Sequence, residues 1–141
     1  MRIQLVFWFI LMSQAQAQAL AGEFDQGNVF GEPEVLAVDE AFSLDVVRDD
    51  AGLQLLWQIQ PGYYLYRHRV GVIGSNRVGK PRIPEGIHKE DEYFGEVQVF
   101  YESLVVDVPV KGAEVETFLV EYQGCAEAGI CYPPQKRQYI K

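Results

Sequence analysis

The chain carries two cysteines, Cys125 and Cys131, inside the stretch Tyr122 to Pro134, which reads Tyr-Gln-Gly-Cys-Ala-Glu-Ala-Gly-Ile-Cys-Tyr-Pro-Pro. Two thiols at this spacing can form a structural bridge, cycle between dithiol and disulfide, or share a metal. Apolar alternation leads in, a small-residue turn containing Gly129 lies between the sulfurs, and Pro133 and Pro134 follow. This pattern suits a turn whose two arms bring the sulfurs together, because facing positions on paired strands meet the Cα separation a disulfide requires. A bridge closing a loop of about seven residues stabilises by roughly 2.4 kcal/mol, towards the low end for disulfides. A bridge near a turn is also accessible, and accessible bridges are the more easily reduced ones. Spacing alone leaves staple and redox couple both open, and the Cys-x-x-Cys of thioredoxin-like sites is absent. His68 and His88 would complete a zinc ligand set in number, but their spacing fits no usual pattern, so no metal is expected.

Two further stretches hold groups able to work beside sulfur. In Gly62-Tyr63-Tyr64-Leu65-Tyr66-Arg67, strand alternation puts Tyr64 and Tyr66 on one face and Tyr63 and Leu65 on the other. The phenols are either core and rim aromatics or a wall beside the cysteines, apolar in body and polar at the tip. His88-Lys89-Glu90-Asp91-Glu92-Tyr93-Phe94-Gly95 sets acidic residues before two rings and a glycine. It reads as a polar-aromatic loop, either an ordinary solvated turn or one that places a ring over something.

The elements that must position these groups are predicted to be strands. Ala41 to Val47 and Leu53 to Ile59 alternate about the turn Asp49-Asp50-Ala51-Gly52, the signature of a β-hairpin. Tyr63 to Ile73 is aromatic and β-branched and reads as one strand, followed by a long connection from Gly74 to His88. Val97 to Tyr101, Leu104 to Val110 and Val115 to Tyr122 read as further strands, and Gln138 to Ile140 closes the sheet. No window shows helical periodicity. About seven short strands with turns between them predict an all-β sandwich.

The 141 residues, 48% of them hydrophobic, fit one domain of ordinary size. A net charge of −8 without a basic stripe argues against nucleic acid. Arg2, the apolar run Leu5 to Met12 and the small residues Ala15 to Ala19 predict a secretory signal peptide over residues 1–19, leaving the domain at 20–141. The run is shorter than the ~20 residues a membrane helix needs. No second run of spanning length follows, so the remainder is expected to be soluble and to reach an oxidising compartment where thiols pair. The sequence therefore admits an exchange domain, or an exported binding or adaptor module whose bridge is purely structural.

Taken together, GYYLYR (62–67), HKEDEYFG (88–95) and YQGCAEAGICYPP (122–134) resemble the N-terminal periplasmic domain of the thiol:disulfide interchange protein DsbD. The resemblance runs from about Phe30 onward, including Trp57-Gln58-Ile59, with the motifs in the family's order. It implies an immunoglobulin-like β-sandwich with the cysteines on an inserted arm and a cap loop beside them. It implies protein-disulfide reductase activity in the periplasm, with the disulfide itself as the redox group and no separate cofactor. The implied donor is the thioredoxin-like redox domain of a membrane electron transporter. The implied acceptors are a periplasmic disulfide isomerase and a thioredoxin-like protein of cytochrome c maturation. Carried over, Cys125 and Cys131 form the redox pair, with Cys131 the site of mixed disulfides, flanked by Tyr64 and Tyr66. Asp91 and Glu92 are the nearby acids, and Tyr93, Phe94 and Gly95 belong to the cap loop with Tyr93 at its tip, where one example of the family carries phenylalanine. An aromatic lid would slow stray oxidation, and a carboxylate beside a thiol would either raise its pKa or accept its proton.

Overall fold

The computed structural model describes residues 34–113 and 116–141. The expected signal peptide and most of the lead-in fall outside them. After a single helical turn, Val38–Ala41, the chain is built from strands. In order these are β1 (Phe42–Asp49), β2 (Gly52–Ile59), β3 (Tyr63–Tyr66), β4 (Gly71–Ile73), β5 (Ile87–Asp91), β6 (Gly95–Phe100), β7 (Ser103–Pro109), β8 (Thr117–Tyr122), β9 (Gly124–Ala126), β10 (Ile130–Cys131) and β11 (Gln135–Ile140). All pairings between them are antiparallel.

The first sheet has the order β1-β2-β7, and its hairpin register pairs Leu44 with Trp57 and Asp49 with Gly52, as the alternation predicts. Its inward face carries Leu53, Leu55, Trp57 and Ile59 from β2 and Leu104, Val106 and Val108 from β7. These pack into one core with Phe118, Val120 and Tyr122 of β8, and the Trp57 ring meets Tyr122 edge-on at 5.7 Å. Each fully buried aliphatic here contributes roughly 1.5–3 kcal/mol over its exposed state. The facing layer consists of β11-β8-β4 and a five-stranded sheet, β10-β9-β3-β6-β5.

Those two sheets are linked because β4 pairs with β8 while β3 pairs with β9. The stretch expected as one strand over Tyr63–Ile73 is thus split by a 3₁₀ turn, Arg67–Arg69. Arg67, His68 and Arg69 offer no apolar side chain to a two-sided interior, and the Arg67 guanidinium instead donates to the carbonyls of Pro84 and Ile83 at 2.7 and 3.1 Å. The stretch His88–Gly95, expected as a loop, is a hairpin: β5, a turn, and the start of β6. Its first arm is the sheet's edge strand, largely solvated, so it carries no apolar alternation to read. The last strand starts three residues before the expected Gln138, directly after Pro134.

Candidate functional site

The four residues of β3 are all buried, and alternation divides them. Tyr63 and Leu65 enter the main core, while Tyr64 and Tyr66 form a second cluster with Val97, Val99 and Cys125. The structure thus places Tyr64 and Tyr66 beside a cysteine. They are core aromatics of a small satellite core, and Cys125 is a member of it.

Asp91, the last residue of β5, organises the polar side of this cluster. It is only 6% exposed. Its Oδ2 accepts hydrogen bonds from the Tyr64 and Tyr66 hydroxyls at 2.9 and 2.8 Å. Its Oδ1 accepts the backbone N–H groups of Tyr93 and Phe94 at 2.9 and 3.1 Å, which shapes the turn into β6. Burial works against this carboxylate's charge, yet the bonds from Tyr66, Tyr93, Tyr64 and Phe94 outweigh it and hold the pKa below the ordinary 3.8. Burial is also the main reason the Tyr64 phenol is pushed up to about 12 and Tyr66 higher still. Both hydroxyls stay protonated and keep donating.

The sulfurs lie on a short arm, β9 and β10, joined by the turn Glu127-Ala128-Gly129. Cys125 and Cys131 face each other across it as a disulfide, with Cα atoms 4.0 Å apart. Gly124 admits the arm to the sheet, because a side chain there would run into the Tyr64 carbonyl oxygen and the Phe42 ring. Gly129 turns the chain back at φ +88°, a conformation suited to glycine. The two sulfurs are unequal: Cys125 is 0% exposed, whereas Cys131 is half-buried. The Tyr66 hydroxyl lies 3.1 Å from Cys125 Sγ and 3.9 Å from Cys131 Sγ. The Tyr66 oxygen therefore stands between Cys125 Sγ and Asp91: its hydrogen goes to the carboxylate, and its contact with the sulfur of the closed bond is a close approach.

The turn between β5 and β6 is Glu92-Tyr93-Phe94, with Gly95 opening β6. Phe94 places its ring edge-on to Tyr66 and to His68, each at 5.0 Å between centroids, and the Arg69 guanidinium lies 4.8 Å from the Phe94 ring. Tyr93 is 55% exposed and donates its hydroxyl to the Gly129 carbonyl at 3.1 Å. The Tyr93 hydroxyl thus ties the hairpin turn to the arm's turn. Glu92 is exposed on the same turn, near Gly129. Of the two acids, Asp91 is the one within the tyrosine–sulfur network, and Tyr66 stands between it and the sulfurs. Sequence reasoning missed Lys89, whose ammonium lies 4.8 Å from the Tyr64 ring centroid, and His68 and Arg69 behind Phe94. No spacing signal marks them, because β5 and the 3₁₀ turn must first be set in register. Among the described residues, no group of three or more His, Cys, Asp or Glu could hold a metal ion.

Comparison with known proteins agrees with this architecture. The family described as thiol:disulfide interchange protein DsbD, N-terminal, matches residues 32–141. The DsbD of Yersinia pestis (strain Pestoides F) is 40% identical over 130 residues, covering 84% of this chain and 22% of the relative. That of Photorhabdus laumondii is 42% identical over 129 residues, covering 90% of this chain and 21% of the relative. The chain thus spans about a fifth of the length of these curated relatives. The crystal structure of the Neisseria meningitidis DsbD N-terminal domain in the reduced form superposes with a TM-score of 0.72 at 31% identity, covering 76% of this chain and 89% of that one. The DsbD N-terminal domain from the same organism, solved in complex with the PilB N-terminal domain, gives a TM-score of 0.69 at 31% identity, covering 76% and 87%. The sandwich is accordingly immunoglobulin-like, and the chain belongs to the family of DsbD N-terminal domains, thiol:disulfide interchange proteins.

Proposed function

We propose that this chain is a periplasmic thiol–disulfide exchange domain that accepts reducing equivalents at Cys125–Cys131 and passes them to periplasmic thiol oxidoreductases. The observation that carries the reading is the asymmetry of the bond: one sulfur fully buried against a tyrosine–aspartate pair, the other reachable from solvent. Exchange requires a thiolate to attack a disulfide sulfur with access to it. In the reduced domain, Cys131 as thiolate attacks the partner's disulfide, forms a mixed disulfide and releases one partner thiolate, which takes up a proton. Cys125 then gives up its proton and attacks Cys131 Sγ. The internal bond closes, the second partner thiolate leaves and is protonated, and two electrons have passed to the partner. The Cys125 proton leaves by way of the Tyr66 oxygen, which lies beside Cys125 Sγ while its own hydrogen points to Asp91, and ends on the departing partner thiolate, so Tyr66 and Asp91 finish as they began.

The donor in this reading is a thioredoxin-like redox domain of a membrane electron transporter, and the acceptors are a disulfide isomerase and a thioredoxin-like cytochrome c maturation protein. The complex of the Neisseria DsbD N-terminal domain with a PilB N-terminal domain supports partners of protein size docking on this fold. Residues 1–19 act as the export signal, and 20–141 form the exchange domain. Phe94 and Tyr93, from the turn that ends at Gly95, shield the pair between encounters, with Glu92 at the rim.

The test is a Cys125→Ser variant offered to periplasmic extract after reduction. Cys131, unable to be resolved, is expected to accumulate a covalent partner that dithiothreitol releases. A wild-type bond inert to every thioredoxin-like reductant, with a potential below about −300 mV, would leave only a structural bridge.

A further inference from the structure

When the covalent bond opens, β9 stays in the sheet beside β3, and the part of the arm with least support is β10 and the turn before it. Strand β10 has two residues and one strand neighbour, β9, and the chain after it is held at Tyr132, whose N–H donates to the Gly124 carbonyl at 3.0 Å, whose carbonyl accepts the Gln123 side-chain amide at 3.0 Å and whose hydroxyl donates to the Leu36 carbonyl. Besides the Tyr93 hydroxyl bond to Gly129, the turn between the cysteines has a second attachment. Glu127, two residues after Cys125, receives the Lys89 ammonium at 3.3 Å on Oε1 and 3.1 Å on Oε2. The Tyr101 hydroxyl donates to the same Oε1 at 2.5 Å. Lys89 comes from the edge strand β5 and Tyr101 from the residue after β6, so the turn is fastened to the sheet from two elements. The Lys89 ammonium also lies against the Tyr64 ring, which limits where it can go. Beneath the side chain, the Glu127 N–H donates to the Gly62 carbonyl at 2.8 Å.

We propose that Lys89 and Tyr101 are positioning residues for the exchange chemistry, holding the arm through Glu127 so that the two cysteines stay within bonding reach when both are thiols. The proposal rests on the exchange function argued above, because only a pair that opens needs such a clasp. Resolution of a mixed disulfide is intramolecular, and its rate and equilibrium follow how often the two sulfurs meet. A clasp that does not depend on the sulfur bond raises that frequency in the dithiol state. The Glu127 carboxyl is held below the ordinary glutamate range, first by the Tyr101 hydroxyl and further by Lys89, so the clasp persists at neutral and mildly acidic pH.

The full chain is equilibrated with dithiothreitol and its cyclic disulfide, and the fraction of closed Cys125–Cys131 is read by thiol alkylation. Two electrons and two protons pass from dithiothreitol to the protein bond as dithiothreitol closes. For Glu127→Gln, Lys89→Met and Tyr101→Phe, the constant for closing the bond is expected to fall about three- to fivefold, the range of an exposed charged contact. The Lys89→Met, Glu127→Gln double variant is expected to fall no further than the more impaired of the two singles, and Lys89→Arg to stay near wild type. Cooperative urea unfolding of the oxidised variants checks that the fold persists, and Lys89→Arg against Lys89→Met decides should Glu127→Gln fail to fold. Constants within twofold of wild type, or effects that add in the double variant, overturn the clasp. A wild-type bond that never exchanges defeats the functional reading itself, so the two failures are distinguishable.

Discussion

Asp91 is the residue on which the site turns, because one carboxylate fixes two phenols and a backbone turn at once. Replacing it by asparagine keeps the shape but aims an N–H₂ group at hydroxyls that need an acceptor. At pH 7, Asp91→Asn is expected to cost about 2–3 kcal/mol, the range for losing hydrogen bonds to a charged group. The sign with pH follows from the lowered pKa. The Asp91 contribution is complete above the ordinary aspartate value of 3.8 and drains away as pH falls through the lower folded value. Urea unfolding across an acidic pH series should therefore show wild type and Asp91→Asn converging as pH drops. A gap that stays constant would mean the carboxylate's charge contributes nothing. The role of Asp91 was legible only in outline. Acidic residues beside aromatics mark the stretch, but four bonds to one side chain appear only once β3 lies beside β6 and β6 beside β5.

At the scale of elements, the arm is a pair of short strands admitted to the sheet at one glycine. Gly124→Ala forces a methyl group against the Tyr64 backbone and the Phe42 ring, neither of which can yield cheaply. A loss of about 1–3 kcal/mol is expected, as for overpacking elsewhere, together with displacement of Cys125 from Tyr66. Thermal unfolding reads the first effect. Thiol alkylation rates in the reduced protein read the second, and rates equal to wild type would show that the arm tolerates the intrusion. Legibility also varied by element. The β1–β2 hairpin stood out because period-2 alternation and a turn coincide, and its register agrees. Strand β5 was hidden because an edge strand with a solvated surface shows no period. The break after Tyr66 was hidden because the β-branched pattern resumes at Val70, and a three-residue polar interruption can equally be the solvated face of one strand.

For the whole molecule, the main core and the sulfur cluster are separate bodies of side chains that share β3. The bond links residues only 6 apart, so it constrains little of the unfolded chain. A Cys125→Ala, Cys131→Ala protein is expected to unfold in one cooperative transition with stability reduced by roughly 2.4 kcal/mol, the chain-entropy value for so short a loop. Loss of the folded state altogether would mean that the bond is a staple after all. The sandwich itself was readable from strand patterning, since buried alternation is what a two-layer core imposes on its sequence. The immunoglobulin-like character came through resemblance, because connection order leaves no trace in hydrophobic period. The Lys89–Glu127–Tyr101 contact left none either, as it joins three segments through side chains of ordinary surface type.

One four-residue segment, Tyr63 to Tyr66, serves both bodies. A library of substitutions across it should sort by odd and even position into two phenotypes. Changes at Tyr63 and Leu65 lower the amount of folded protein that accumulates, whereas conservative changes at Tyr64 and Tyr66 leave protein levels intact and slow its traffic in electrons.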